Sequence, residues 1–225
     1  MGRRALPVTG VALRRVYQRL RHRFGPAGWW PGETPFEVSI GAILTQNTSW
    51  ANVEKALEAL RSRRILSYAG LRRLTNARLA GLIRSSGYYN LKARRVRAFL
   101  DFLGREYGGR AEDMASEDPS ALRARLLEVD GIGPETADSI ALYAAGLPVF
   151  VVDAYTRRIF ARLGILRGDE AYDTIQSVFM DRLPRDVALY NDYHAQIVRL
   201  GKEVCRPRPR CSGCPLDDLC PRWGV

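Results

Sequence analysis

Four cysteines close the chain: Cys205, Cys211, Cys214 and Cys220. Four thiolates in one short stretch suit either zinc or an iron–sulfur cluster. Zinc sites often pair two Cys-x-x-Cys knuckles, and here only Cys211 and Cys214 form one. Upstream, Asp153 follows the apolar run Val149-Phe150-Val151-Val152 and precedes Tyr155-Thr156-Arg157-Arg158. A carboxylate there can cap a helix, or it can activate water and stabilise positive charge. Glu135 stands in Gly133-Pro134-Glu135-Thr136-Ala137, where an acid in a first helical turn complements the helix dipole.

These groups need a scaffold, and its centre is Gly131-Ile132-Gly133. Two glycines around one apolar residue make a tight turn. Leu122, Leu126 and Leu127 before it, and Ala137, Ile140, Ala141 and Ala144 after it, keep helical spacing. Pro134 suits the first position of the second helix. The reading is helix, hairpin, helix, with Ile132 tucked between the helices. Free backbone N–H groups at such a turn attract phosphate, although a plain helical hairpin fits the local pattern equally well.

The order of hairpin, helix, apolar run and aspartate resembles the helix-hairpin-helix DNA glycosylases, the endonuclease III superfamily. The resemblance extends over nearly the whole chain. It implies that Gly131, Ile132 and Gly133 hold a DNA phosphate, often through a bound monovalent cation, and that Asp153 is catalytic. It also implies that the cysteine tail is similar to the family's [4Fe-4S] loop, although the first two cysteines stand one residue closer than in the commonest form. In that loop Arg206, Arg208 and Arg210, spaced by Pro207 and Pro209, would meet DNA phosphates. Bifunctional members carry a lysine where this chain has Glu135. A glutamate cannot form a Schiff base, and the lysines Lys55, Lys92 and Lys202 all lie outside the hairpin motif. A monofunctional enzyme follows, with Glu135 offered as proton or hydrogen-bond donor to the leaving base.

Other segments support this. Thr34-Pro35-Phe36-Glu37 reads as a capping box opening a buried helix through Val38, Ile40, Ile43 and Leu44. That helix ends in Thr45-Gln46-Asn47-Thr48-Ser49-Trp50. The segment resembles the family stretch whose glutamine fills the gap left by a flipped base, which places Gln46 there with Asn47 beside it. In Gly87-Tyr88-Tyr89-Asn90-Leu91-Lys92-Ala93 the resemblance makes Tyr88 a wedge in the DNA stack, against the alternative of a partly buried tyrosine. Lys92 is assigned to DNA as well, and Asn90 to the cap of the next helix, which runs to about Tyr107. A basic amphipathic helix is expected over 11–24, a loop over 25–32, helices over 50–62, 67–74 and 76–85, and a connector over 108–119. His194 reads as a structural group on a late helix.

The 225 residues carry a formal net charge of +11, which favours a polyanionic partner. No apolar run approaches a membrane span and no signal-peptide core opens the chain, so a cytoplasmic, nucleoid-associated place is expected. The expected fold is all-α, in two helical domains with the active site in the cleft between them. A six-helix domain with the hairpin occupies 30–147, and a cluster domain combines 1–29 with 148–225. The expected activity is that of a monomeric DNA N-glycosylase, a hydrolase of base excision repair. It would flip a damaged base, an alkylated purine by preference, out of double-stranded DNA. The alternatives are a bifunctional endonuclease III acting on oxidised pyrimidines with weak lyase activity, and an inactive lesion-binding protein.

Overall fold

Helices form wherever apolar residues recur at helical spacing and a polar residue stands ready to cap them. The computed structural model describes residues 6–28 and 30–225; Trp29, inside the expected 25–32 loop, lies outside them. The described residues form α-helices and short 3₁₀ and π turns, with no strand. In order these are α1 (Gly10–Phe24), α2 (Pro35–Thr45), α3 (Trp50–Arg61), α4 (Tyr68–Arg72), α5 (Asn76–Leu82), α6 (Tyr89–Tyr107), α7 (Pro119–Leu127), α8 (Pro134–Ser139), α9 (Ala154–Arg162), α10 (Tyr172–Met180) and α11 (Val187–Glu203). No helix among the described residues is long and apolar enough to cross a membrane. The chain divides into two units, residues 30–147 and the described part of 1–29 with 148–225.

In the 30–147 unit, α2 is the central rod, with every residue from Phe36 to Leu44 buried. Thr34 caps it, its hydroxyl accepting from the Glu37 N–H at 3.2 Å. Only this half of the capping box forms. The Glu37 carboxylate instead takes the Arg61 guanidinium at 2.5 Å, because a buried acid needs a cation more than a second cap bond. The expected helix over 76–85 stops at Leu82 and passes into a 3₁₀ turn, Arg84–Ser86. Part of the 108–119 connector is itself helical, a 3₁₀ segment at Ala111–Ser116. Helix α8 continues as a π turn over Ile140–Ala144. Asn90 is not a cap. Helix α6 starts two residues earlier than that cap would give, behind Tyr88, which holds left-handed backbone at φ 44 and makes no side-chain cap bond.

In the other unit the apolar run before Asp153 is buried but not helical, so its backbone groups need partners elsewhere. Gln176 Nε2 on α10 donates to the Phe150 carbonyl at 2.7 Å. The Val152 N–H donates to the Tyr172 hydroxyl at 3.2 Å. Phe150 stacks on Phe179, ring centroids 4.1 Å apart. The Tyr193 hydroxyl on α11 donates to the Leu13 carbonyl on α1 at 2.8 Å, which ties the first and last helices together. The run is thus held by α10, and Asp153 follows at its end.

Candidate active site

Asp153 is the N-cap of α9, with extended backbone and 8% of its surface exposed. Its Oδ1 accepts from the Thr156 N–H at 2.7 Å and the Thr156 hydroxyl at 2.8 Å. Its Oδ2 lies 3.5 Å from Nε2 of His194, buried on α11. Burial pushes the carboxyl pKa up. The His194 imidazole and the two Thr156 donors outweigh it, and the group sits below the ordinary carboxylate range. One oxygen is therefore consumed by the cap, while the other keeps its negative charge beside an imidazole. Such a carboxylate can accept a proton from water or face a developing cation. His194 is the residue that sequence reasoning missed. Its buried helical face was legible, but nothing in its neighbourhood along the chain pointed to Asp153.

In the 30–147 unit the hairpin has the predicted form. Ile132 is buried at 4% exposure, its N–H donating to the Val129 carbonyl at 3.0 Å. Gly131 has φ 79, and a Cβ there would meet the Arg95 Cγ at 2.4 Å, so glycine is required twice over. Gly133 caps α8 and Pro134 opens it. Leu127, expected on the apolar face, is instead exposed at 36% beside the turn. Arg123 on α7 pairs with fully buried Asp138 on α8 at 2.8 Å and locks the two arms of the hairpin. Glu135 is exposed in the first turn of α8, and its carbonyl accepts from the Ser139 hydroxyl at 2.7 Å.

The two other segments expected to face DNA both carry a non-glycine residue at positive φ. Asn47 is exposed with φ 53, a conformation asparagine tolerates. Tyr88 is 69% exposed with φ 44, which a bulky side chain adopts only under constraint. The partly buried alternative for Tyr88 therefore fails. Gln46 is half-buried and bonded to the protein. Its Nε2 donates to the Gly131 carbonyl at 3.0 Å and to the Thr136 hydroxyl at 2.9 Å, and its Oε1 accepts from Arg95 Nη1 at 2.5 Å. Lys92 does not reach a surface at all, being 1% exposed, and its ammonium donates to the Leu44 carbonyl at 2.8 Å and the Ser86 carbonyl at 2.6 Å. A long apolar stem in a crowded helix face explains this: burying it left the charge no acceptor but two carbonyls.

A family model described as "HhH-GPD superfamily base excision DNA repair protein" matches residues 40–185. The chain belongs to the HhH-GPD superfamily. It is 44% identical over 208 residues to "Putative DNA repair glycosylase MJ1434" of Methanocaldococcus jannaschii, covering 92% of this chain and 94% of that protein. A solved non-covalent Endonuclease III–DNA complex is similar at a TM-score of 0.80 and 25% identity, covering 94% of this chain and 95% of that one. The H. pylori 3-methyladenine DNA glycosylase MagIII bound to 1,N6-ethenoadenine is similar at a TM-score of 0.74 and 29% identity, covering 88% and 98%. The protein is thus a member of the DNA glycosylase family of base excision repair.

The cysteine tail of this HhH-GPD chain is organised by an arginine that the sequence did not single out. Arg162, at the end of α9, donates from Nη1 to Cys205 Sγ at 3.3 Å and to the Arg206 carbonyl at 2.7 Å, and from Nη2 to the Pro207 carbonyl at 2.9 Å. Its own carbonyl accepts from the Cys220 thiol at 3.3 Å. The first and last cysteines thus meet at one residue. All four thiols are half-buried. Burial pushes Cys214 up to about 11, a shift that the thiols of Cys205, Cys220 and Cys211 reinforce. Among the described residues no three Cys, His, Asp or Glu groups are drawn tightly enough together to grip a single metal ion. Arg206, Arg208 and Arg210 are all exposed, and the Arg206 Nε donates to the Lys202 carbonyl at 2.7 Å.

Proposed function

We propose that this protein is a monofunctional glycosylase that hydrolyses the N-glycosyl bond of a damaged base flipped from duplex DNA. The observation that carries this is Glu135 at the head of α8, together with the placement of the lysines. Lys55 lies on α3, Lys202 on α11, and Lys92 is buried under two carbonyls. No amine stands on α8 to attack the sugar, which supports attack by water.

In this reading Asp153 polarises the attacking water and faces the positive charge that develops on the sugar as the base departs. Thr156 fixes the carboxylate through Oδ1, and His194 keeps Oδ2 charged. Glu135 donates a proton or hydrogen bond to the leaving base. The hairpin N–H groups, Asn47, Tyr88 and the exposed arginines hold the duplex. An alkylated purine is the preferred substrate, a reading supported by likeness to a 3-methyladenine enzyme bound to ethenoadenine. Cys205, Cys211, Cys214 and Cys220 would hold a [4Fe-4S] cluster. The all-thiol donor set fits it, and a four-iron cube keeps its thiolates farther apart than a single ion does. Its contribution is to fix the loop that carries Arg206, Arg208 and Arg210.

The test is base release from duplexes bearing methylated or etheno purines, oxidised pyrimidines, uracil or mismatches, each split with and without alkali. The expected result is a product from the purine adducts that appears only after alkali. In the same panel E135Q should alter the pH–rate profile. Strand cleavage without alkali, trapped by borohydride, would overturn the monofunctional reading. Tight binding with no release from any duplex would leave a lesion-binding protein.

A further inference from the structure

Three surface segments of the 30–147 unit stand out for exposure or strained backbone: the hairpin at 129–133, the turn holding Asn47, and the turn holding Tyr88. They are far apart in sequence, and each is short. A duplex read by all three requires them to keep fixed relative positions, because an ångström of slack at such a site erodes specific recognition. Two side chains of α6 connect them. Lys92 and Arg95 stand three residues apart and so share one face of the helix.

The Lys92 ammonium joins the end of α2, through the Leu44 carbonyl, to the 3₁₀ turn before Tyr88, through the Ser86 carbonyl. Arg95 joins the other pair. Its Nη1 holds Gln46 Oε1, and Gln46 Nε2 holds the Gly131 carbonyl and Thr136 hydroxyl across the hairpin. The Arg95 stem also occupies the space where any Cβ on Gly131 would fall. Both Gln46 amide hydrogens are committed inside the protein, and so is its oxygen. A carboxamide so engaged is a strut, while Asn47 and Ser49 of the same turn are open to solvent.

We propose that Lys92 and Arg95 are positioning residues, a pair of cations that bind no DNA themselves but register three DNA-facing segments, with Gln46 as the link to the hairpin in the free protein. The inference rests on the reading of these segments as DNA-facing.

The experiment compares wild type with R95M, R95Q, Q46A and K92M in two measurements. The first is hydrogen exchange in the free protein. R95M and Q46A should speed exchange in peptides spanning 129–136, and K92M in those spanning 44–49 and 85–89, while the core of α2 stays protected. Unchanged exchange in these segments would overturn the proposal, with or without DNA activity. R95Q, which keeps a donor, should fall between wild type and R95M. If R95M does not fold, R95Q and Q46A carry the comparison.

The second measurement is the affinity for duplexes with a stable abasic analogue opposite each of the four bases. R95M should lose about tenfold, by the same factor against every opposite base, because it releases the strut without removing a group that faces DNA. The double variant with Q46A should be no weaker than the poorer single one, since the two residues act as a unit. Wild-type affinity in R95M, whatever the loss in Q46A, would overturn the proposal. Wild-type protein that binds none of the duplexes would instead sink the DNA-facing reading, and exchange would still decide whether the brace exists.

Discussion

Two buried ionisable groups, one in each unit, meet burial with opposite results. Lys92 is 1% exposed and Asp153 is 8% exposed. Lys92 is surrounded by carbonyl dipoles and has the Arg95 charge one turn away. Burial first, and then Arg95, brings its pKa down to about 8. Asp153 suffers the same desolvation, but His194 and both Thr156 donors reverse it and hold the carboxyl low. The lesson is that burial alone does not set a charge state. The count and sign of the partners does. Asp153 carries its charge with surplus support, which suits a group that must face a cation. Lys92 carries its charge near the edge of losing it, which suits a fixed structural link whose hydrogen bonds survive in either protonation state.

The largest test of this contrast removes the supported charge. D153N keeps an oxygen for the Thr156 cap, and asparagine caps helices as well as aspartate does. Base release should fall by about 10²–10⁴-fold while thermal stability barely moves. A comparable loss of stability in a melting curve would make Asp153 a cap and nothing more.

Next in size is the support itself. Without the His194 imidazole the desolvation of Asp153 is less well opposed, so its pKa rises. In H194F the acid limb of the pH–rate profile should move to higher pH, and in H194Q, which keeps a donor, it should move less. An unshifted limb in H194F would show that His194 only fills space.

The Lys92 side of the comparison is read from stability against pH. Its folded pKa, about 8, lies below the unfolded value of 10.5. Between those values the unfolded chain binds a proton that the folded chain has released. This group's contribution to stability therefore rises with pH through that window. Chemical denaturation of wild type and K92M at several pH values should show the wild type gaining relative to the variant from about pH 8 upward. Parallel curves would mean that the ammonium is not desolvated in solution.

The smallest effect belongs to charges that are not buried. Replacing Arg206, Arg208 and Arg210 by alanine should leave the melting temperature unchanged and lower the salt dependence of DNA binding. The slope of log K against log salt should shrink by about 0.9 for each phosphate that an arginine no longer neutralises. An unchanged slope would place these arginines away from the duplex.

Much of this was written along the chain. The hairpin, the cap at Asp153, the buried α2 and the tail of four cysteines rest on local rules: glycine for positive φ, a polar cap before an apolar run, helical spacing, thiol chemistry. Each rule acts within a few residues, so the sequence determined them. Glu135 in place of a lysine is legible in the same way. What the tertiary structure alone decided is partnership. His194 meets Asp153 only because α11 packs on α9. Arg162 joins Cys205 to Cys220 only because the tail folds back over its helix. Gln46 turned inward to the hairpin, and Lys92 sank beneath two loops, because the packing of α2 and α6 offered their polar ends acceptors closer than solvent. A side chain's type is local information. Its nearest polar neighbour is set by packing between residues remote in the chain, and no short stretch of sequence encodes that distance.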